Sequence, residues 1–263
     1  MDTVAQLTIV RHGQSTANVA FADAQARGLA DHGLTGRDAD IELSPLGWEQ
    51  AAHLGRWLAA QPVDQRPDVV VCSPYRRARQ TWTQAAVAAA ELGTPHPQAV
   101  VDERLCDRLM GELELMTPIM IANQFPAEAA RLTADGPYAY RPPGGETFHD
   151  VAERVKAVLD DLNRTHPGRR VLLVAHDAVV VAARHLIEGL SLTDLDAVLV
   201  VTPVANTSIT RYAHARGGLD LVEFAATPHL PGGGDDMPAS AKETPPGHLS
   251  RQHAEPSDAA RGR

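Results

Sequence analysis

Cysteine is nearly absent: the 263-residue chain has two, Cys72 and Cys106. A fold stapled by disulfides is excluded, because such scaffolds need several bridges in a short chain. Cys72 closes an apolar stretch and Cys106 follows Leu105, so both read as small packing residues suited to a reducing cytoplasm. Basic charge is also short, with 24 Lys and Arg against 33 Asp and Glu and a net charge of −9. A nucleic-acid surface needs a basic patch, so that partner class is excluded. A small anionic ligand is not, since an arginine pair can outweigh a diffuse negative charge locally. No uncharged run approaches the ~18 residues of a membrane span. The start, Met1-Asp2-Thr3-Val4, has neither the basic region nor the apolar core of a secretory leader. The twelve histidines are scattered and form no zinc spacing, and no internal repeat is visible. Neither a metal nor an organic cofactor is expected.

Apolar residues make up 44% of the chain, ample for the core of one large domain. The composition changes at about Pro228, beyond which the last 36 residues hold six Pro and five Gly. That segment has too little apolar surface to offset its ordering entropy. The expected organisation is a domain over residues 1–227 and a disordered tail over 228–263.

Within the domain, short apolar runs alternate with helical patterns. Gln6 to Val10, Asp68 to Cys72, Gln98 to Leu105 and Arg170 to His176 read as strands, with two more at Ser208–Tyr212 and Leu219–Phe224. Ser44-Pro45 and Ser73-Pro74 each pair an N-cap residue with a proline suited to a helix start. Thr147 to Asp150 resembles a capping box, and Phe148, Val151, Val155, Val158, Leu159 and Leu162 follow it at helical spacing. A helix is expected over Asp177–Glu188 and a short one near Thr193–Ala197. Thr117-Pro118 opens another, with Pro126 interrupting it, and residues 136–145 read as a loop. Residues 28–43 carry Asp31, Asp38, Asp40 and Glu42 and read as an acidic surface excursion. Strands alternating with helices imply a mostly parallel central sheet with helices on both faces, a three-layer αβα sandwich.

Three expected strands end in unusual polar residues. The first runs into Arg11-His12-Gly13. The second runs into Ser73-Pro74-Tyr75-Arg76-Arg77. The strong late strand ends in His176-Asp177. Ligands of open α/β sheets bind beyond the carboxyl ends of the strands. Any one of these stretches has a structural reading, as a core histidine or a solvated helix face. Their conjunction points to two imidazoles and at least two guanidiniums around an anion. A phosphoryl group suits that set, because the arginine fork matches its oxygens and helix N-termini add donors.

These residues resemble those of the histidine phosphatase superfamily, in its phosphoglycerate-mutase-like branch. The resemblance rests on Arg11-His12-Gly13 with Ser15 and Asn18, and on Leu43-Ser44, Leu46-Gly47 and Gln50-Ala51. It continues through Ser73-Pro74, Arg77-Ala78 and Thr81, Gly144-Gly145-Glu146-Thr147, His176 and Asn206-Thr207-Ser208, covering about Leu7 to Tyr212. It implies a phosphoglycerate-mutase-like fold and a metal-independent phosphomonoester hydrolase. His12 would be the nucleophile, forming a phosphohistidine, with Arg11, Arg77, His176 and Asn18 around the phosphoryl oxygens. A carboxylic acid would protonate the leaving group. Asp107, in Leu105-Cys106-Asp107-Arg108-Leu109-Met110-Gly111, stands where the family carries a glutamate. Asp177 is the alternative donor, since another branch of the family carries a His-Asp pair there. Arg108 beside Asp107 is expected to lower its pKa.

Other readings compete. Gly13-Gln14-Ser15-Thr16-Ala17 has the outline of a nucleophile elbow, but follows the first strand and ends in Ala. His176-Asp177 could belong to a metal phosphohydrolase, but no second ligand cluster accompanies it. A phosphoglycerate mutase would need more cations around the substrate than residues 28–43 and 107–125 provide. A phospho-ligand-binding regulatory protein would not need both histidines and a donor acid. The expected partner is a small phosphorylated substrate, its specificity set by residues 21–40 and 108–140. Substrate identity, oligomeric state and the role of the tail have no signature in the sequence.

Overall fold

Six strands form one sheet: β1 (Gln6–Arg11), β2 (Val69–Cys72), β3 (Ala99–Val101), β4 (Arg170–Ala175), β5 (Ile209–Ala215) and β6 (Gly218–Ala226). Their spatial order in the computed structural model, which describes residues 3–215 and 217–234, is β3-β2-β4-β1-β5-β6. The first four in that order are mutually parallel, and β5 and β6 add an antiparallel edge. The eight helices among the described residues are α1 (Thr16–Arg27), α2 (Pro45–Ala60), α3 (Arg76–Glu91), α4 (Pro118–Gln124), α5 (Pro126–Ala139), α6 (Phe148–Thr165), α7 (Asp177–Glu188) and α8 (Leu192–Val201).

The alternation of strand side chains builds the three layers. Leu7, Ile9, Leu173 and Ala175 point one way and pack with Val151, Val155 and Val158 of α6 and Val179 and Ala182 of α7. Val10, Leu172 and Val174 point the other way, onto Leu54 and Leu58 of α2 and Ala78, Trp82 and Ala85 of α3. Central strands are therefore apolar on both faces, which is why β4 reads as an unbroken Val/Leu run. A smaller cluster of Leu113, Ile121 and Tyr140 supports the α4–α5 outgrowth. No helix among the described residues is long and apolar enough to cross a membrane.

The caps read from the sequence are present. Ser44 Oγ accepts from Gly47 N at the start of α2, and Thr147 with Asp150 closes a reciprocal capping box on α6. Some boundaries differ. The third strand is only Ala99–Val101, and Glu103–Leu105 is a 3-10 turn in which Asp102 caps the chain. The α5 span kinks at Gly136, whose φ of 75° and ψ of 168° are not helical, and a short helical turn over 137–139 precedes the rest of the expected loop. Helix α8 is twice the expected length, because Ser191 and Asp194 make a capping box upstream. Both cysteines are free. The tail expected from residue 228 lies mostly outside the described residues. Its start packs on the domain: His229 and Leu230 are buried, and Pro231–Gly234 is a 3-10 turn.

Candidate active site

Strand register brings the polar strand ends together. Arg11 pairs with Ala175 and Cys72 with Val174, so β1, β4 and β2 finish level with one another. The next residues extend the ladder: His12 N donates to Ala175 O and Ser73 N to Val174 O, each at 2.9 Å. His176 thus emerges between His12 and Ser73. It is also the N-cap residue of α7, while Tyr75 is the N-cap residue of α3, so two helix N-termini face this edge.

His12 is buried and its ring is held from both sides. Nδ1 lies 2.7 Å from Gly13 O, and Arg77 Nε donates to Nε2 at 3.1 Å. A carbonyl can only accept and a guanidinium can only donate. The proton therefore sits on Nδ1, and the Nε2 lone pair accepts from Arg77 Nε. Burial, then the charges of Arg77, His176 and Arg11, hold the His12 pKa well below the usual histidine value. The ring is a neutral imidazole.

Arg77 is buried and all five of its N–H groups are engaged. Nη1 donates to the carbonyl and to Oδ1 of Asp38, both at 2.8 Å. Nη2 donates to Asp38 Oδ2 at 3.1 Å and to Asp107 Oδ2 at 3.0 Å. Nε completes the set on His12. The guanidinium also lies 4.8 Å above the Tyr75 ring.

His176 is fully buried. Its Nε2 lies 2.8 Å from Ser73 Oγ, and its Nδ1 is 3.3 Å from Asp107 Oδ2. The tautomer protonated on Nδ1 turns its N–H toward a carboxylate that only accepts, at ion-pair distance but outside hydrogen-bond geometry, and leaves Nε2 to accept from Ser73 Oγ. Burial lowers the His176 pKa against the raising effect of Asp107. Asp107 Oδ1 accepts from Arg108 N at 2.8 Å. Burial favours its neutral form, but His176, Arg77 and His12 outweigh burial and hold the carboxyl well below the usual range. Arg108, expected from the sequence to lower it, is not among the main causes. The Arg108 guanidinium turns away to the carbonyls of Pro137, Tyr140 and Glu146.

The structure thus joins His12, Arg77, His176 and Asp107 by direct contacts. Arg11 follows the same strand end, and its Nη1 donates to Val204 O at 2.7 Å. Asp177 belongs to this flank: Oδ2 lies 3.8 Å from Arg11 Nη2, and Oδ1 accepts from Ala178 N in its own helix. Asn18 is buried at the start of α1, where its Oδ1 accepts from Ser15 N and Oγ at 2.9 Å. Ser15 is consequently a helix cap, not an exposed nucleophile elbow.

Other motif residues hold the loop that carries His12. Gly13 N donates to Thr81 Oγ1, Gln14 N to Gln50 Oε1, and Ser44 Oγ to Gln14 Oε1. The loop lies flat on α2, where a Cβ at Gly13 would meet Gly47 O at 2.7 Å and one at Gly47 would meet Gln14 O at 2.0 Å. Only glycine tolerates that approach at either position. Thr207, with φ 56°, donates its N–H toward the carbonyls of Arg11 and His12. A β-branched residue in that region is strained and needs surrounding structure to hold it.

Three contributors escaped the sequence reading. Asp38 lies in the stretch 21–40 expected to set specificity, but its own acid reads in the sequence as exposed surface. Arg154 lies inside the amphipathic α6 pattern, yet its guanidinium holds the carbonyls of Arg104, Cys106 and Asp107. Glu146, noted only as a motif letter, accepts from Arg154 and from Leu109 N. A charged residue on the apolar flank of a helix was the available signal for Arg154.

Comparison with known proteins matches residues 7–227 to the histidine phosphatase superfamily (branch 1). A glucosyl-3-phosphoglycerate phosphatase of Mycolicibacterium vanbaalenii is 31% identical over 231 residues, covering 84% of this chain and 90% of that protein. A 2,3-bisphosphoglycerate-dependent phosphoglycerate mutase of a Methylobacterium species is 31% identical over 188 residues, covering 70% and 81%. The solved complex of a mycobacterial glucosyl-3-phosphoglycerate phosphatase with inorganic phosphate is 25% identical, with a TM-score of 0.64 over 86% of this chain and all of that one.

Proposed function

The chain belongs to the histidine phosphatase superfamily, branch 1, and from that premise we propose that it hydrolyses small phosphomonoesters through a phosphohistidine on His12, without a metal. The observation that carries this reading is the neutral His12 ring, whose Nε2 lone pair faces the donors of Arg77. The Arg77 Nε–H passes from Nε2 to a phosphoryl oxygen, and Nε2 attacks phosphorus in line with the ester oxygen. The N–P bond forms as the P–O bond breaks, and Asp107 gives its proton to the departing alkoxide. Arg11, Arg77, His176 and Asn18 bind the equatorial oxygens and stabilise the charge that collects on them. Asp107, now a carboxylate, takes a proton from water as that water's oxygen attacks phosphorus. The P–N bond breaks, phosphate leaves, and His12 regains its lone pair.

Asp107 is preferred to Asp177 as donor because it contacts both Arg77 and His176, whereas Asp177 faces Arg11 and accepts from Ala178 N in the first turn of its own helix. The named relatives include both phosphatases and mutases, so phosphoryl return to substrate is the second reading. Hydrolysis is favoured because Arg108 is spent on backbone carbonyls and the facing excursion carries Asp38, Asp40 and Glu42. The test is hydrolysis of p-nitrophenyl phosphate with a chelator present. Turnover that survives the chelator and is lost in His12→Ala is the expected result; turnover that persists in His12→Ala overturns the mechanism.

A further inference from the structure

Arg77 has no N–H left for a phosphoryl oxygen. Three of its hydrogen bonds go to Asp38, one to Asp107 and one to His12. Nε is released when His12 Nε2 attacks, but a phosphoryl group that takes an Nη donor must first displace Asp38 or Asp107. Asp107 is the better-held of the two: Arg108 N donates to its other oxygen, and His176 stands at 3.3 Å. Both carboxylate bonds of Asp38 run to Arg77, and its side chain is 21% exposed, so water can receive it on release.

The backbone of Asp38 does not share that freedom. Its carbonyl accepts from Arg77 Nη1 and from Ile41 N, and its N–H donates to Glu114 Oε1 at 2.9 Å. A carboxylate freed from Arg77 therefore swings only about its own side-chain torsions and stays at the mouth of the site. Glu114 stands beside it, anchored through that same N–H. The nearby cations are largely engaged elsewhere. Arg108 and Arg154 hold backbone carbonyls, Arg76 pairs with Glu42 at 3.0 Å, and Arg37 is exposed.

We propose that Asp38 is a specificity-determining residue, which yields Arg77 to the phosphoryl group and then faces the leaving group. It thereby favours uncharged or ammonium-bearing alcohols over alcohols that carry a carboxylate. The proposal rests on the phosphoryl-binding role given above to Arg77. A carboxylate close to Asp38 and Glu114 meets like charge, whereas an ammonium group meets attraction.

O-phosphoethanolamine and 2-phosphoglycolate test this, being close in length and opposite in terminal charge. The wild type is expected to favour the ammonium ester in kcat/KM by about tenfold or more. Asp38→Asn and Asp38→Ala should each cut that ratio by about tenfold, and both should bind inorganic phosphate more tightly because Arg77's fork is no longer contested. The Asn variant keeps the size of the side chain and guards against loss of the turn. His12-dependent hydrolysis of p-nitrophenyl phosphate, measured alongside, reads the hydrolase assignment separately. If that hydrolysis is present and the ester ratio is the same in wild type and both variants, or the wild type prefers phosphoglycolate, the role of Asp38 is overturned.

Discussion

Arg77 Nε donates to Nε2 of His12 at 3.1 Å while the Gly13 carbonyl holds the opposite side of the ring. One cation thus orients the nucleophile's lone pair and keeps a proton off it. The His12 pKa is lowered, so the neutral ring persists at pH values well below 6.5 and protonates only under more acid conditions. NMR titration of the His12 ring should give a midpoint well below that of an exposed histidine. Arg77→Met should raise it, because both the nearby charge and some of the burial are removed. An unmoved midpoint would mean that burial by other groups controls the ring.

Removing the nucleophile should cost more than removing the donor. His12→Ala is expected to lose about 10⁴-fold or more in kcat. Asp107→Asn should lose about 10²- to 10⁴-fold, the usual worth of a general acid. Asp177→Asn should stay within about tenfold of wild type, because its carboxylate serves Arg11 and the start of α7. The reverse ranking of the two aspartates in steady-state kinetics would transfer the donor role to Asp177.

A donor must carry a proton, yet Asp107 is held ionised before ligand binds, against the opposing effect of burial. Phosphate binding would place a new anion beside it and draw part of Arg77's charge onto the phosphoryl oxygens. Both changes raise its pKa, so binding should draw a proton onto Asp107. Calorimetry of inorganic phosphate binding near pH 7, in buffers of different ionisation enthalpy, should show more proton uptake for the wild type than for Asp107→Asn. Equal uptake in the two proteins would leave Asp107 ionised in the complex and unable to serve as acid.

The parts of the site legible in the sequence are those fixed by local pattern. His12, Ser73 and His176 each follow a short apolar run, and parallel register alone levels such strand ends. The Asp38–Arg77 pair spans 39 positions with no periodicity to announce it, and acids in a glycine-rich excursion look like solvated surface. Arg154 was hidden for a related reason: helical spacing tells which face is covered, not which backbone carbonyls lie beneath it. At β3, a run read through to Leu105 stops at Val101, because Asp102 bonds Arg104 N and turns the chain. Competition from one side chain ended a strand that propensity would continue.

Sheet stability should depend on a second long-range pair. Asp68, just before β2, accepts from Arg170 N, Nε and Nη2 at the start of β4, at 2.9, 3.0 and 2.6 Å. Burial raises the Asp68 pKa, but the hydrogen bonds and charge of Arg170 outweigh it and the net shift is downward. A carboxylate with a depressed folded pKa stabilises the native state above its unfolded pKa of roughly 4. That contribution is lost as pH falls through the lower folded value. Asp68→Asn should therefore cost about 2 kcal/mol in urea unfolding at pH 7, since an amide cannot accept from all three donors as a carboxylate does. The gap between the two proteins should close as the pH is taken below about 4. If it stays constant down to acid pH, the loss comes from packing at that position, and the charge on Asp68 does not hold β2 to β4.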